Sequence, residues 1–194
     1  MRRSKADTAE TRQHILNTAS QAFRKHGIDS ISLADIMAEA GLTHGGFYRH
    51  FGSKEQLVEE ASSTSLLELI HLFRSVAAEK DAPRGLKAIA SVYLSKDHRD
   101  NAAEGCPLAA LAAEIGRSER GTRKAMTEGF RKLVDVVAEQ LAPLPSETAK
   151  RRALAALSMM VGALTLSRMV SDPELSDAIL VQAKKQLLET FQPG

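Results

Sequence analysis

No stretch of this chain alternates apolar and polar residues with the period of two that a half-buried strand requires. Val and Ile are scattered, while Ala, Leu, Glu, Lys and Gln dominate. That pattern confines the chain to packed helices, and its caps, glycines and prolines divide it into about nine of them. The first runs from near Asp7, where Asp7 and Glu10 have capping-box spacing, to a stop at Gly27, with Ile15, Leu16, Ala19, Ala22 and Phe23 on one face. Ser32 caps a short second helix with Leu33, Ile36, Met37 and Ala40 inside, ended by Gly41. Thr43 caps a third helix, and Ser53 caps a long fourth one with Gln56 in the box position.

Further along, Ser62-Ser63-Thr64-Ser65 is weakly helical and is a plausible bend in the fourth helix. Asp81-Ala82-Pro83 starts a fifth helix, and residues 96–105, KDHRDNAAEG, read as a polar loop. Pro107 suits the first turn of a sixth helix, reaching roughly Ile115. A seventh ends before Pro143, Ser146 caps an eighth, and Asp172-Pro173 opens a ninth that ends near Phe191.

The segment Gly41–Lys54, GLTHGGFYRHFGSK, carries the chemistry. Gly41 supplies a tight turn between two short helices, the signature of a helix-turn-helix. Phe47 and Phe51, four apart, share an anchoring face with Leu42. His44, Gly45, Tyr48 and Arg49 fall on the other face. Each glycine costs a helix interior about 1 kcal/mol relative to Ala. Two adjacent ones, Gly45 and Gly46, make sense where a backbone must approach a nucleic-acid groove closely. Thr43 can both cap the helix and offer its hydroxyl to a phosphate, favoured there by the helix N-terminus.

Charge sets limits on this reading. The net charge is only +2 over 194 residues. Residues 1–55 hold eight Lys or Arg against six Asp or Glu, so DNA binding must rest on placed contacts more than on bulk field. Arg2, Arg3 and Lys5 form either a basic arm or a plain terminal tail.

Residues 10–57 resemble the N-terminal DNA-binding domain of the TetR family of bacterial transcriptional regulators. The residues that carry the resemblance are Ile15-Leu16, Ala19, Phe23, Gly27, Asp35-Ile36-Met37, Gly41 and Phe47-Tyr48-Arg49-His50-Phe51 with Lys54. Met37 stands where Ala is usual, and His44-Gly45-Gly46 replaces a commoner Lys-Gly-x. The resemblance implies phosphate contacts from Thr43, Tyr48, His50 and Lys54, and places His44, Gly45 and Arg49 at or near base edges. Ser32 and Gly46 complete the candidate DNA-contacting set. The expected architecture is all-α, with a three-helix DNA-binding domain over residues 1–54 and a helical effector-binding and dimerisation domain over 55–194. The expected partners are a double-stranded DNA operator, a small-molecule effector, and a second copy of the chain joined through the last two helices.

The later sequence agrees with that architecture. The eighth helix is apolar almost all round from Ala153 to Leu166, and Ala153, Ala156, Gly162 and Ala163 permit close helix approach. An inverted-repeat operator needs two recognition helices about 34 Å apart, hence a dimer. Candidate effector-lining residues are Leu69, Phe73, Tyr93, Cys106, Leu111, Phe130, Val134, Met160 and Leu164. With no Trp the pocket should be mostly aliphatic, suiting a modest apolar or amphipathic ligand. Cys106 offers an alternative. Beside a helix N-terminus its thiol would be acidified, making the protein a sensor of electrophiles or oxidants, with plain core packing as the competing reading.

Other functions find little support. HExxH, CxxC, phosphate-loop and GxSxG patterns are absent, so no enzyme, metal or cofactor is implied. His98 and Cys106 lack a third member for a catalytic triad. A single Cys rules out an internal disulfide framework. No apolar run follows the basic start, and none reaches the roughly 20 residues of a membrane span, so a cytoplasmic protein is expected.

Overall fold

The computed structural model describes residues 5–78 and 80–191, and among these there is no strand. Arg2 and Arg3 of the suggested arm, and the side chain of Lys5, lie outside the described part. The order is α1 (Lys5–His26), α2 (Leu33–Glu39), a 3-10 helix (His44–Arg49), α3 (Lys54–Ala77), α4 (Ala82–Tyr93), α5 (Lys96–Asp100), α6 (Pro107–Ile115), α7 (Arg120–Glu139), α8 (Ser146–Met169) and α9 (Pro173–Phe191).

The helix ends follow their caps. Gly27 and Gly41 are the described residues with positive φ, at 88° and 68°. Around Gly41 the Leu42 amide donates to Met37 O at 2.8 Å and the Gly41 amide to Ala38 O at 2.9 Å. Those two bonds are the paired closure of a helix whose next residue is left-handed. At the other end of α2, Ser32 Oγ accepts the Asp35 amide while Asp35 Oδ2 accepts the Ser32 amide, a complete capping box. The same contacts hold the Asp35 carboxyl below its usual range. Asp172 Oδ1 accepts the Glu174 and Leu175 amides and so starts α9 as its sequence suggests.

Four local expectations are corrected. The third helix is 3-10, not α: with two glycines in six residues it lacks α propensity, and short i to i+3 bonds such as Gly46 N to Thr43 O close it. Thr43 sits at its N-cap, but its side chain makes no cap bond. The polar loop at 96–105 contains α5, capped by Ser95 Oγ accepting the His98 amide. Ser146 is the first residue of α8 and Pro145 the cap position.

The serine-rich middle of α3 does not interrupt the helix. Ser65 Oγ donates back to Ala61 O at 2.9 Å and meets Ser20 Oγ of α1 at 2.5 Å. Small side chains here let α1 and α3 cross closely. Downstream, α3 packs on α7, α7 on α8, and α8 on α9. One apolar core runs through the described chain from Ile15 to Phe191.

Candidate nucleic-acid interface

The 3-10 helix is held from below and bare above. Phe47 and Phe51 are buried and stack at 5.6 Å. Arg12 of α1 locks the exit of this turn: its guanidinium lies 4.4 Å from the Phe51 ring centroid, bonds both Glu60 carboxylate oxygens at 2.7 Å, and donates from Nε to His50 O at 3.3 Å. Sequence reasoning missed Arg12, because its partners lie 38 to 48 residues away.

Above that base, Thr43, His44, Gly45, Tyr48 and Arg49 are exposed, with Tyr48 at 63%. His44 meets the Tyr48 ring edge-on at 6.2 Å, so the two rings form one exposed pair. Thr43, Gly46, Arg49 and His50 also border a surface notch of about 280 Å³ between α1, α2 and the 3-10 helix.

The two glycines are not required by the fold. Neither has positive φ. A Cβ added to Gly45 would meet nothing within 4 Å, and one added to Gly46 would make only ordinary contacts with Thr43 and Met37. Side chains at either position would thus fit within the chain itself.

Two candidates have structural duties. Ser32 is exposed, but its hydroxyl is engaged with Asp35. Lys54 Nζ donates to Ile28 O at 2.7 Å and Ile31 O at 2.8 Å, tying the start of α3 to the α1–α2 connection and leaving one N–H uncommitted.

The candidate effector residues fall in the other half of the molecule. Leu69 borders a cleft of about 240 Å³ between α3 and residues 98–105. Phe73, Tyr93, Cys106, Leu111, Val134, Met160 and Leu164 are buried in the core, and Phe130 packs against it. Cys106 is fully buried, and burial pushes its thiol above the usual range, outweighing the Tyr93 hydroxyl and the helix-start amides of Ala109 and Leu108 that favour the thiolate. The expected acidification by the helix N-terminus is thus present but overcome. Arg99 turns away to Asp100 and Asp177, and His98 binds the Cys106 backbone instead of its sulfur.

The two halves are bonded to each other. Glu114 of α6 accepts the Ile28 and Asp29 amides, Arg24 Nε donates to Ala103 O at 2.5 Å, and Gln21 donates to Glu104 at 2.6 Å. Burial lowers the Arg24 pKa, while Glu68 and Glu104 oppose that shift.

Residues 15–61 match the family described as bacterial regulatory proteins, tetR family. Residues 83–182 match that described as transcriptional regulator LmrA/YxaF-like, C-terminal domain. The HTH-type transcriptional regulator TtgR of Pseudomonas putida is 41% identical over 71 residues, 37% of this chain and 31% of that protein. The probable acrEF/envCD operon repressor of Escherichia coli K12 is 34% identical over 106 residues, 52% of this chain and 48% of that protein. The chain thus aligns with between about a third and a half of the length of these curated relatives. A crystal structure of a TetR-family regulator from Agrobacterium tumefaciens superimposes with a TM-score of 0.81 at 22% identity, covering 96% of this chain and 100% of that one.

Proposed function

Because the chain belongs to the TetR family of bacterial regulatory proteins, we propose that it is a transcriptional repressor that binds an inverted-repeat DNA operator as a homodimer and is released by a small apolar or amphipathic effector. The observation that carries the DNA-binding part is the pair Gly45-Gly46, bare of side chains with no internal demand for it, beside exposed Thr43, Tyr48 and Arg49. A backbone that reaches a groove edge needs that bareness, and flanking hydroxyl and guanidinium groups suit phosphates and base edges.

The dimer reading rests on α8 and α9. Leu154, Leu166 and Met169 on α8, and Leu175 and Val181 on α9, are exposed, with Met169 at 70%. From Ala153 to Ser167 α8 carries no charge. An apolar face of that length matches what two copies bury together.

Release requires that effector binding favour one arrangement of the C-terminal helices, and that the change reach the 3-10 helix. Two connections serve this. α3 runs from Lys54 beneath the DNA-binding half into the bundle, and α6 grips the α1–α2 connection through Glu114. No helix among the described residues is long and apolar enough to cross a membrane. A cytoplasmic location is inferred from DNA binding.

The test is fluorescence anisotropy on DNA from upstream of the protein's own gene. Tyr48→Ala and Gly45→Val should each weaken binding at least about tenfold while leaving the melting temperature close to wild type, since surface changes of this kind cost little stability. Unchanged binding by both variants sinks the interface.

A further inference from the structure

We propose that Arg168 and Tyr93, beneath the segment His98–Gly105, receive the carboxylate of a short amphipathic acid. The proposal rests on the reading of this protein as effector-responsive and names the chemistry of the effector's polar end.

Arg168 is committed to backbone on two of its three nitrogens. Nε donates to Arg99 O at 3.0 Å and Nη2 to His98 O at 2.6 Å. Nη1 is inaccessible and has no hydrogen-bond partner. No ion pair to Arg168 occurs among the described residues. The acid whose charge it feels, Asp100, is held by Arg99 at 2.7 Å. A partly buried guanidinium bonded to neutral carbonyls, with its nearest acid already held by another arginine, gains from an anion that joins it.

Tyr93 Oη is the second unsatisfied group. The ring is 1% exposed, edge-on to both Phe73 and His98, and its hydroxyl has no partner of ordinary hydrogen-bond geometry, with the Cys106 thiol alone beside it. The Cys106 thiol lies beside it and is too weak a partner to satisfy a phenol. Tyr93 and Arg168 both pack on His98, the first with its ring edge-on at 4.7 Å and the second donating to His98 O at 2.6 Å.

His98 cannot supply what is missing. Its Nδ1 bonds Tyr93 O at 2.7 Å and its Nε2 meets the Cys106 amide at 2.9 Å. The amide must donate to Nε2, so Nδ1 carries the proton, and the ring is neutral with no acceptor left over. The cluster therefore offers a positive charge, an N–H and an O–H, and lacks an acceptor. A carboxylate provides two acceptor oxygens and the balancing charge.

The cleft between α3 and residues 98–105 adjoins the cluster through His98 and Gly105, which form part of its wall, while Arg168 and Tyr93 themselves do not line it. A Cβ on Gly105 would lie 2.8 Å from Arg168 Nη2, so the bare Gly105 backbone packs directly against the guanidinium. Leu69 and half-exposed Leu72 give an apolar wall for a tail. Glu68 and Glu104 stand at the same cleft, but Glu68 pairs with Arg24 at 3.7 Å and Glu104 binds Gln21, and Arg24 balances part of their charge. At about 240 Å³ the cleft is smaller than the roughly 300 Å³ where drug-sized pockets begin, which selects a short ligand. Cys106, at the edge of the cluster, is also the N-cap of α6, whose far end holds the DNA-binding half through Glu114.

The experiment is isothermal titration calorimetry of the full chain with hexanoate, octanoate and decanoate, and with the matching primary alcohols. At least one acid should bind about tenfold or more tighter than its alcohol, as expected of a charge-assisted pair. Tyr93→Phe removes a hydroxyl whose protein neighbour is the weakly bonding Cys106 thiol, so the free protein should melt close to the wild-type temperature while acid affinity falls severalfold. Arg168→Lys, which keeps the charge and loses the fork, should also weaken the acid. Equal binding of acid and alcohol, no binding of any of the three acids, or an unchanged acid affinity in a folded Tyr93→Phe variant each overturns the proposal. Operator binding, measured separately by anisotropy, keeps the two readings apart. An acid that binds through Tyr93 yet leaves operator affinity unchanged supports the site and refutes its role as the effector site.

Discussion

Glu114 holds the backbone of Ile28: its Oε2 accepts the Ile28 amide at 2.6 Å, and the Asp29 amide follows at 3.2 Å. The two residues are 86 positions apart and belong to opposite halves of the molecule. Gly27 makes the contact possible, because its φ of 88° turns the chain after α1, and a Cβ there would come within 3.0 Å of Glu114 Oε1. The carboxylate thus does for the end of α1 what a cap does within one helix, but from a helix in the other half.

Glu114→Ala should therefore destabilise the protein by about 1–3 kcal/mol, chiefly the cost of leaving the part-buried Ile28 amide without a partner. Ile28 is itself buried, so water cannot easily replace the carboxylate. Glu114→Gln keeps one acceptor oxygen and should recover part of the loss. Urea unfolding of the three proteins measures this. A loss below about 0.5 kcal/mol in the alanine variant would mean the contact contributes no more than an ordinary surface group.

Acid should weaken the fold through His98. Burial lowers its pKa below the ordinary 6.5 or so, the backbone bond to Tyr93 opposes the shift, and Arg168 adds to it. The folded state therefore binds this proton less readily than the unfolded chain, and stability from the neutral ring is fully present above about pH 6.5. It declines as the pH falls from there toward the folded value. Protonation at Nε2 would also cancel its acceptance of the Cys106 amide. Denaturation midpoints at pH 7.5 and 5.5 should differ more in wild type than in His98→Asn. Equal pH sensitivity in both proteins removes His98 from the account.

The contrast between these two sites shows what a linear sequence displays. Ser32, Gly27, Gly41 and Asp172-Pro173 act on neighbours within a few residues, so their roles as helix stops and starts were legible. The same holds for Phe47 and Phe51, whose spacing alone puts them on one face. Glu114, Arg12 and Arg168 act on backbone or carboxylates tens of residues away, and nothing near them in the chain announces a partner. Residues 96–105 misled for that reason. Their polarity suggested solvent, yet Lys96 and Arg99 bind Asp177 on α9, while His98 and Arg99 present carbonyls to Arg168. Cys106 misled differently: its helix-start position was readable, its burial was not, and burial decides its chemistry.

Gly162 gives a direct test of the dimer. It lies on α8 between exposed Ser158 and Leu166, and an added Cβ there meets nothing within 4 Å. Within one chain a larger residue is tolerated, and replacing a mid-helix glycine should even stabilise by up to about 1 kcal/mol. Across an interface of closely approaching helices the same residue would be a wedge. Gly162→Leu should fold with wild-type helicity and sediment as a monomer where wild type sediments as a dimer. A dimeric Gly162→Leu protein would place the interface elsewhere.

Lys54 can be assigned by salt dependence. Its Nζ already donates to Ile28 O and Ile31 O, so loss of affinity on mutation cannot by itself distinguish a phosphate contact from a loosened α1–α2 connection. A cation that displaces a counterion from DNA contributes about 0.9 to the slope of log affinity against log salt, whereas a structural cation contributes nothing to it. If the remaining N–H of Lys54 reaches a phosphate, Lys54→Met should lower the magnitude of that slope by about one unit, in addition to any loss of stability from the two released carbonyls. Arg49→Met provides the comparison, since Arg49 is exposed and sits on the bare face of the 3-10 helix. Titrations of both variants against operator DNA across a series of salt concentrations decide the matter. A changed slope for Arg49→Met and an unchanged one for Lys54→Met would confine Lys54 to holding the α1–α2 connection beneath the surface that meets DNA.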